Sequence, residues 1–506
     1  MAAVWLTLPS LLAFVGVSLA TDHPVDFWLH VNTGRLMWET GTLAGWDHFT
    51  CTIAGSEVVN QNWLAELATY GLYRIGGFEL CQFAAASCYA AAIGLSVLLA
   101  WRRSGNAHAA AWAGLAGWAM ALSNFGIRPQ AISTLLFAAE LFVLWCNAGR
   151  WGTIAWIAVI QLIWANSHGA FVLGAMLPGI FLAAAISKHW GAGALRGALT
   201  DREVHTYLVC SLVAALAMFV NPQPSHTLDY VFNTSSLSLD RGIEEWLPTN
   251  FATLTGKAYF ASIAGMLVLL GVSRRRLETV EWLLLATFLL LGAKAQRMVI
   301  WWAMIVPPIA APRLAELLSR RRKPTAHDDE DDLAPWFVVA GLVLFVLTTF
   351  PWTRGYNPLL PADRRIARGI HEPAGAVAYL RDSGYRGNVF APVSWGAYLT
   401  CFLYPDVKVF NDSRIESFPD DVWNDYLQIG AAEGDWNATL EKYRIDLIVW
   451  SDRLSVELLA ALRRSLAWRE VYDDAECAIF RRRDKSSGDP ARPSPVDAAA
   501  ASVRPY

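Results

Sequence analysis

Charged side chains are scarce in this sequence: Asp, Glu, Lys and Arg make up 17% of the 506 residues, whereas hydrophobic residues make up 55%. A soluble domain usually carries about 25% charged residues. The deficit lies in the part before about residue 351, where apolar runs alternate with short polar gaps. A single soluble domain is therefore excluded, and the net charge of −3 averages two regions that meet different solvents.

Paired cysteines are also missing. The seven Cys residues show neither CxxC nor CxxH spacing, which argues against a zinc site and against a disulfide scaffold. Cys401 and Cys477 belong to the same C-terminal region and could form a disulfide, but two buried free thiols are the simpler interpretation.

The N-terminus has no Lys or Arg ahead of its first apolar run, residues 4–20. A secretory signal peptide begins with a positively charged segment. Although this run is long enough for a signal peptide and ends in SLA, which resembles a cleavage site, we interpret it as a retained transmembrane helix.

Long apolar runs are what the sequence does contain. Runs of roughly 20 apolar residues cross a bilayer as helices, because a helix satisfies its own backbone hydrogen bonds. The sequence predicts an α-helical polytopic membrane protein with about 11 transmembrane helices over residues 1–351, followed by a soluble α/β domain over 352–485 and a disordered tail over 486–506. The predicted spans are 4–20, 78–101, 107–123, 129–147, 151–165, 168–187, 204–220, 258–273, 280–293, 298–313 and 335–351.

Basic residues decide the orientation. Lys and Arg concentrate in alternate short loops, such as 102–103, 274–276 and 320–323, and the positive-inside rule places these loops in the cytoplasm. The N-terminus is then inside and the C-terminal domain outside. A crossing at 62–76 would break the alternation of basic loops, so we predict a juxtamembrane helix there, within a first outside region of 21–77.

The C-terminal domain alternates helix and strand patterns. PAGAVAYLRDSG, residues 373–384, has the pattern of a short amphipathic helix, and a turn is predicted at 395–398. Strands are expected in GNVFAP, DVKVFND and DLIVW, and the run 468–483 is typical of a hairpin. The mixture predicts a small α/β domain.

Polar residues without an evident structural role collect in the loops predicted to lie outside. The first of these loops, 21–61, carries Asp26, His30 and Asp47 among several Trp and Phe residues. Ionisable groups at membrane depth are costly and are candidates for function, so we expect the helices to gather these loops around one outward-facing polar cavity. The later loops add Arg128, Asn166, His168, Glu244, Glu245, Trp246, Lys294 and Arg297.

These candidates also have structural explanations. Asp26 could cap the helix that begins after it, and Arg128 could reach lipid headgroups. Residues 166–168 could form a plain turn between two helices, and 244–245 could be solvated loop charges. The aromatic residues of the loops are typical of a membrane-interface belt.

Two runs near the N-terminus carry a resemblance to a known family: DFWLHVNTGRLMWETG, residues 26–41, and QNWLAELATYGLYRIGG, residues 61–77. The chain resembles the GT-C superfamily of polytopic membrane glycosyltransferases, including oligosaccharyltransferases, O-mannosyltransferases and aminoarabinose transferases. Their hallmark is an acidic residue that heads a juxtamembrane helix in the first outside loop, the position of Asp26. The family's second acidic residue is replaced by Phe27. RPQ, WANSHG, NPQP, EEW and VFNDSRIESF are similar to elements of a bacterial branch with this architecture.

The resemblance implies an enzyme that moves a sugar from a polyprenyl-phosphate-linked donor to an acceptor at the outer face of the membrane. Asp26 would act as general base on the acceptor or as a ligand of a divalent metal ion, since a carboxylate suits both roles. Asp47 is the second acidic candidate. Guanidinium groups bind phosphate in two-point contacts, so Arg297 and Arg128, with Lys294 beside them, would hold the phosphate. The expected substrate-binding residues are His30, Asn166, His168, Glu244, Glu245 and Trp246.

The expected partners are the polyprenyl-phosphate sugar donor, membrane lipids and an acceptor that is a glycan, a lipid or a protein; no nucleic-acid partner is expected. The expected location is a bacterial cytoplasmic membrane. A lipid or polysaccharide transporter, or a non-catalytic assembly scaffold, is the alternative function. A transporter would carry polar residues along the path to the inside, whereas the inside loops hold only basic clusters and short turns. The soluble domain shows neither a glycine-rich phosphate loop nor a nucleophile elbow, which argues against it as the enzyme.

Overall fold

The computed structural model describes residues 2–20, 25–189, 194–321, 334–365, 372–451 and 453–483. The predicted disordered tail lies outside these residues, as does the acidic run 328–332. The part before residue 352 is helical and comprises α1 (Ala2–Ser18), α2 (Phe27–Thr40), α3 (Trp63–Ser104), α4 (Ala107–Ala121), α5 (Gln130–Cys146), α6 (Gly152–Ala165), α7 (Phe171–Ser187), α8 (Ala194–Thr200), α9 (Arg202–Ala217), α10 (Thr227–Asp240), α11 (Leu254–Val272), α12 (Thr279–Lys294), α13 (Val299–Arg321) and α14 (Ala334–Thr348).

Each predicted span falls on one of these helices; α2, α8 and α10 lie between the spans. Within the described residues, three helices are both long and apolar enough to cross a bilayer: Trp63–Ser104, Leu254–Val272 and Gln296–Arg320. Several shorter apolar helices accompany them, including α1, α5, α6 and α7. The chain is accordingly described as a membrane protein, and a total of eleven crossings stays a prediction.

The long helix α3 consists of two segments. Gly76 and Gly77 have non-helical backbone angles, with φ of 66° at Gly77, a conformation that L side chains rarely adopt. The segment before this kink coincides with the predicted juxtamembrane helix, and the segment after it coincides with the span predicted at 78–101. The kink lets the first segment pack along α2 while the second runs into the bundle.

A buried ion network ties the helices at the end of the bundle opposite Asp26. Glu281 of α12 receives hydrogen bonds of 2.8 Å from Arg103 Nη1 and 2.7 Å from Arg313 Nη2. The side chains of Glu281 and Arg313 are 2% and 1% exposed. Removing one partner from such a network leaves a buried charge uncompensated, so the network fixes α3, α12 and α13 relative to one another.

The C-terminal part contains a five-stranded mixed sheet in the order β2-β1-β3-β5-β4. The first three strands in that order are parallel, and β5 and β4 form the predicted antiparallel hairpin. The predicted helix at 373–384 is also present. The elements are α15 (Ala374–Asp382), β1 (Gly387–Phe390), α16 (Val393–Leu403), β2 (Val407–Val409), α17 (Asp420–Gly430), α18 (Trp436–Lys442), β3 (Ile445–Trp450), α19 (Val456–Arg464), β4 (Trp468–Asp473) and β5 (Ala478–Arg482).

Two expectations for this part can be checked directly. The predicted turn at 395–398 is wrong, because these residues lie inside α16. The helix continues through Gly396, and the missing side chain there lets the backbone approach the carbonyl of Asn411, where a Cβ would collide. Cys401 and Cys477 are both buried free thiols, as the simpler interpretation expected.

The first loop joins the edge of this sheet. Thr50 forms a parallel bridge with Val409 of β2, and Cys51 N donates to Val409 O at 2.8 Å. Thr52 Oγ1 donates to the carbonyl of Phe410 at 2.6 Å. The loop therefore covers an edge strand that would otherwise be open, and it fixes the C-terminal sheet beside the helix that Asp26 heads.

Candidate active site

A cavity of about 2200 Å³ lies where the loops of the helical part meet the C-terminal sheet region. Its wall includes α2, the first turn of α3, the residues before α5, the turn between α6 and α7, the segment between α10 and α11, and the connection from α12 to α13. The C-terminal part adds residues 392–394 and 413–417. The loops predicted to share one face of the membrane therefore do meet around one cavity.

Asp26 stands at the N-terminal end of α2 and lines the cavity. Its backbone already has helical angles (φ −83°, ψ −13°), and its side chain makes no capping hydrogen bond. The next residue, Phe27, is fully buried and packs edge-to-face on Trp28 and Phe78. Phe27 thus anchors α2, and the Asp26 carboxylate is left in the cavity wall.

Arg128 and Arg297 are joined by one carboxylate. Glu245 Oε2 accepts a hydrogen bond of 3.0 Å from Arg128 Nη1, and Glu245 Oε1 accepts one of 3.3 Å from Arg297 Nη1. The guanidinium of Arg297 also lies 4.3 Å from the ring centre of Trp246. Among the described residues, Arg128 Nε is buried without an acceptor. Two cations and one anion therefore form a cluster with net positive charge in the cavity wall.

The electrostatics of this cluster follow from its geometry. Burial opposes ionisation of Glu245, but the charges of Arg297 and Arg128 outweigh it and hold the pKa of Glu245 below its usual value. Burial likewise opposes the charge of Arg128, but Glu245 and then Asp26 raise the pKa of that guanidinium. Asp26 thus lies within electrostatic reach of the cation cluster.

Backbone contacts hold the segment that carries Glu245. Gln296 N donates to Leu247 O at 3.1 Å, and Thr249 N donates to Ala293 O at 3.1 Å. Gln296 Nε2 reaches the carbonyl of Glu244 at 3.4 Å. Because these bonds join the segment to the turn between α12 and α13, Glu245 and Arg297 are placed against each other by main-chain contacts.

His30 and His168 are two of the three histidines, with His226, that line the same cavity within the described residues. His30 Nδ1 lies 3.0 Å from Glu66 Oε1, and His168 Nδ1 lies 2.9 Å from Ser133 Oγ. Burial, followed by the positive charge of Arg297, lowers the pKa of His168 to about 3. His168 is therefore neutral at physiological pH and takes part as a hydrogen-bonding group.

The structure does not bring every predicted residue to the cavity. Lys294, Glu244 and Trp246 do line it. Asp47 is 2% exposed and forms an ion pair with Arg414, so its carboxylate is engaged between the first loop and the sheet. Asn166 is engaged in packing: it accepts from Trp63 Nε1 and donates to the carbonyl of Val220, both at 2.8 Å.

Some residues of the wall were not predicted. Glu66 and Glu416 line the cavity, although neither is among the residues predicted to do so. Burial raises the pKa of Glu416, with Asp26 and Asp412 adding to the effect against Arg414. A carboxylate in an otherwise apolar run was the available signal for Glu66; for Glu416 the sequence offers none.

The resemblance implies a divalent metal ion at Asp26. Among the described residues, no three His, Cys, Asp or Glu side chains converge as ligands. The described side chains around Asp26 therefore do not form a metal centre of that kind.

Comparisons with known proteins agree with this architecture. No family model matches the chain, and no curated protein matches its sequence. The crystal structure of the Archaeoglobus fulgidus oligosaccharyltransferase, tethered with an acceptor peptide containing the NVT sequon, matches over 88% of this chain and 69% of that chain. The TM-score is 0.56 and the sequence identity is 14%. The chain has a GT-C fold.

A second solved structure with the GT-C fold also matches: Cupriavidus metallidurans ArnT bound to undecaprenyl phosphate, at 14% identity and a TM-score of 0.47. The match covers 96% of this chain and 99% of that chain. The first match spans both the helical part and the sheet region of this chain, so the predicted resemblance in fold is confirmed.

Proposed function

We propose that the protein is a membrane glycosyltransferase that moves a sugar from a polyprenyl-phosphate-linked donor to an acceptor at the outer face of a bacterial cytoplasmic membrane. One observation carries this proposal. In a GT-C fold, the cavity wall combines a carboxylate that caps nothing, Asp26, with a cluster of two arginines, Arg128 and Arg297. This is the combination that glycosyl transfer from a lipid phosphate requires.

The chemistry assigns a role to each group. The sugar departs from a phosphate that keeps a negative charge, and guanidinium groups stabilise such a leaving group because they remain charged when partly desolvated. Arg128 and Arg297, supported by Lys294, would bind the phosphate. Asp26 would activate the acceptor, as general base on its nucleophilic group.

The difference between the two ends of the helical bundle favours an enzyme that acts at one face of the membrane over a transporter. The network of Glu281 with Arg103 and Arg313 closes the packing at the end of the bundle opposite the cavity. A transporter would need to open this network, and breaking a buried ion pair is costly. The C-terminal part contributes 413–417 to the cavity wall, and we propose that it helps to select the acceptor.

The direct test is a binding experiment with undecaprenyl phosphate and the purified protein. A density map should show the phosphate beside Arg297. Arg297→Ala should weaken binding more than Arg297→Lys, since lysine keeps the charge but loses the two-point contact. Arg74, whose guanidinium lies 5.5 Å from the ring centre of Trp38 outside the cavity, supplies the matched control: Arg74→Ala should bind as the wild type does. If the wild type and all three variants bind undecaprenyl phosphate equally well, the proposal that Arg297 binds the phosphate in this cavity is wrong.

A further inference from the structure

His30 and Glu66 form a buried pair in the cavity wall. Nδ1 of His30 lies 3.0 Å from Glu66 Oε1, and the two side chains are 9% and 6% exposed. The second oxygen of Glu66 accepts a hydrogen bond of 2.8 Å from Asn60 Nδ2. Because Glu66 is held at both oxygens, it fixes the orientation of the His30 ring.

The close approach of two helices brings the pair together. A Cβ at Gly34 of α2 would collide with the backbone carbonyl of Glu66 and with the side chain of Tyr70. Only glycine lets α2 approach the first turn of α3 this closely. Asn60 is itself fixed, since its N–H donates to Gln223 Oε1 at 2.9 Å. The sequence thus provides both the approach and the support that the pair needs.

The pair leaves one ring nitrogen for the cavity. An ionised carboxylate only accepts hydrogen bonds, so a neutral His30 carries its proton on Nδ1 and keeps a lone pair on Nε2. Nε2 has no hydrogen-bond partner within the described part of the chain, and His30 lines the cavity. Asp26 precedes His30 by four residues, so the two side chains project from the same face of α2.

We propose that His30 Nε2, in place of Asp26, accepts the proton of an acceptor hydroxyl group, with Glu66 as its positioning residue and Asp26 acting through its negative charge; this assignment rests on the proposed glycosyltransferase function. As the hydroxyl oxygen bonds to the anomeric carbon, the bond from that carbon to the phosphate oxygen breaks. Its electron pair leaves with the polyprenyl phosphate, and the proton moves to Nε2. Glu66 and Asp26 then stabilise the imidazolium, as a carboxylate behind a catalytic histidine does.

The surroundings favour His30 over His168. Among the described residues, Glu66 of α3 pairs with His30, His168 of the turn between α6 and α7 lies within electrostatic reach of it, and Asp26 of the same helix end lines the same cavity. Arg297 and Arg128 both lie within electrostatic reach of His168, and its pKa of about 3 makes it a poor base at neutral pH. Imidazole is the side chain whose proton affinity best matches neutral pH.

The experiment compares His30→Gln and Glu66→Gln with the wild type and with a control, His48→Gln. His48 belongs to the first loop, residues 21–61, but is not among the residues that line the cavity. Turnover is the release of undecaprenyl phosphate from undecaprenyl-phosphate-linked hexoses, with water and glycerol as hydroxyl acceptors. His30→Gln should lower kcat by about 10²-fold and leave binding of undecaprenyl phosphate unchanged. Glu66→Gln should lower kcat by about tenfold with the donor KM unchanged, and imidazole should partly restore His30→Ala.

Two failures are distinguishable. If His30→Gln binds undecaprenyl phosphate and turns over at the wild-type rate, the inference is overturned and Asp26 is left as the base. If the wild type itself neither binds undecaprenyl phosphate nor releases it from any of these donors, the proposed function fails, and the assignment of His30 fails with it.

Discussion

Asp26 stands at the N-cap position, directly before the first residue of α2, but its carboxylate makes no capping hydrogen bond. Asp26→Asn should therefore leave folding intact, since the side chain contributes no capping bond and Asn is an equally good residue at that position. Sugar transfer should fall by about 10²-fold, because the substitution removes the negative charge that activates the acceptor. The measurement is turnover of a polyprenyl-phosphate-linked sugar together with the thermal unfolding temperature.

Asp229 provides the matched control for that substitution. It is an exposed aspartate in the wall of the same cavity, in the first turn of α10. Asp229→Asn should keep wild-type turnover. Full activity of a normally folded Asp26→Asn protein would contradict the role of Asp26, and Asp47 could not replace it easily because its carboxylate is occupied by Arg414.

The position of an individual residue was predictable where it depends only on the face of the membrane at which its loop lies. Asp26, Arg128 and Arg297 were expected to meet because their loops share one face of the membrane, and all three line one cavity. The fate of Asp47 could not be predicted, since its partner Arg414 lies 367 residues away in the chain. The pair of His30 with Glu66 was not predicted because it depends on how closely two helices approach at Gly34.

At the scale of elements, the first loop and the C-terminal sheet are joined by a buried ion cluster. Arg414 contacts Asp412 through Nε at 3.0 Å and also pairs with Asp47, and both carboxylates are fully buried. Arg414→Met should leave two buried carboxylates without a cation, a change that costs about 3–5 kcal/mol. The thermal unfolding temperature should drop, and a protease should cut the first loop between residues 42 and 60 faster than in the wild type.

The control is an ion pair on the surface of the same sheet region. Arg386 pairs with Asp406 at 3.2 Å, with side chains that are 79% and 54% exposed. Arg386→Met should change the unfolding temperature little, because exposed pairs contribute little. Equal and small effects of both substitutions would show that the loop is not held by the Arg414 cluster.

Elements were predicted well where the apolar pattern was strong and poorly where tertiary contacts decide. The five strands were all expected: β1, β2 and β3 lie in short runs rich in apolar residues and bounded by turn residues, and β4 and β5 lie in the run with the pattern of a hairpin. The turn predicted at 395–398 is wrong because these residues belong to α16, where Gly396 lets the helix backbone approach Asn411, a contact that the local sequence does not show. The helix α10 was not expected, because its composition is too polar to show a membrane pattern.

At the scale of the whole molecule, the prediction concerns which face of the membrane carries the cavity and the C-terminal domain. Every predicted span is helical, and the charged network of Glu281 lies at the end opposite the cavity. A reporter that is active only outside the cytoplasm, fused after residue 485, should be active, and the same reporter fused in the basic loop after Arg276 should be silent. The reverse pattern would place the cavity at the cytoplasmic face.

The bridge made by Glu245 has a consequence for how a donor would enter and leave. Its two oxygens already occupy one N–H group on each of two arginines, so an incoming phosphate would not fill a vacant site but would exchange with an anion that belongs to the protein. Such an exchange lowers the affinity for the lipid phosphate, since part of the attraction is spent in separating the internal pair. The exchange would also speed dissociation of the product under the proposed function. After sugar transfer, Glu245 could pair again with both guanidinium groups and displace the polyprenyl phosphate. Glu245, as an anion that competes with the phosphate from within the protein, would thus reduce inhibition of such an enzyme by its lipid product.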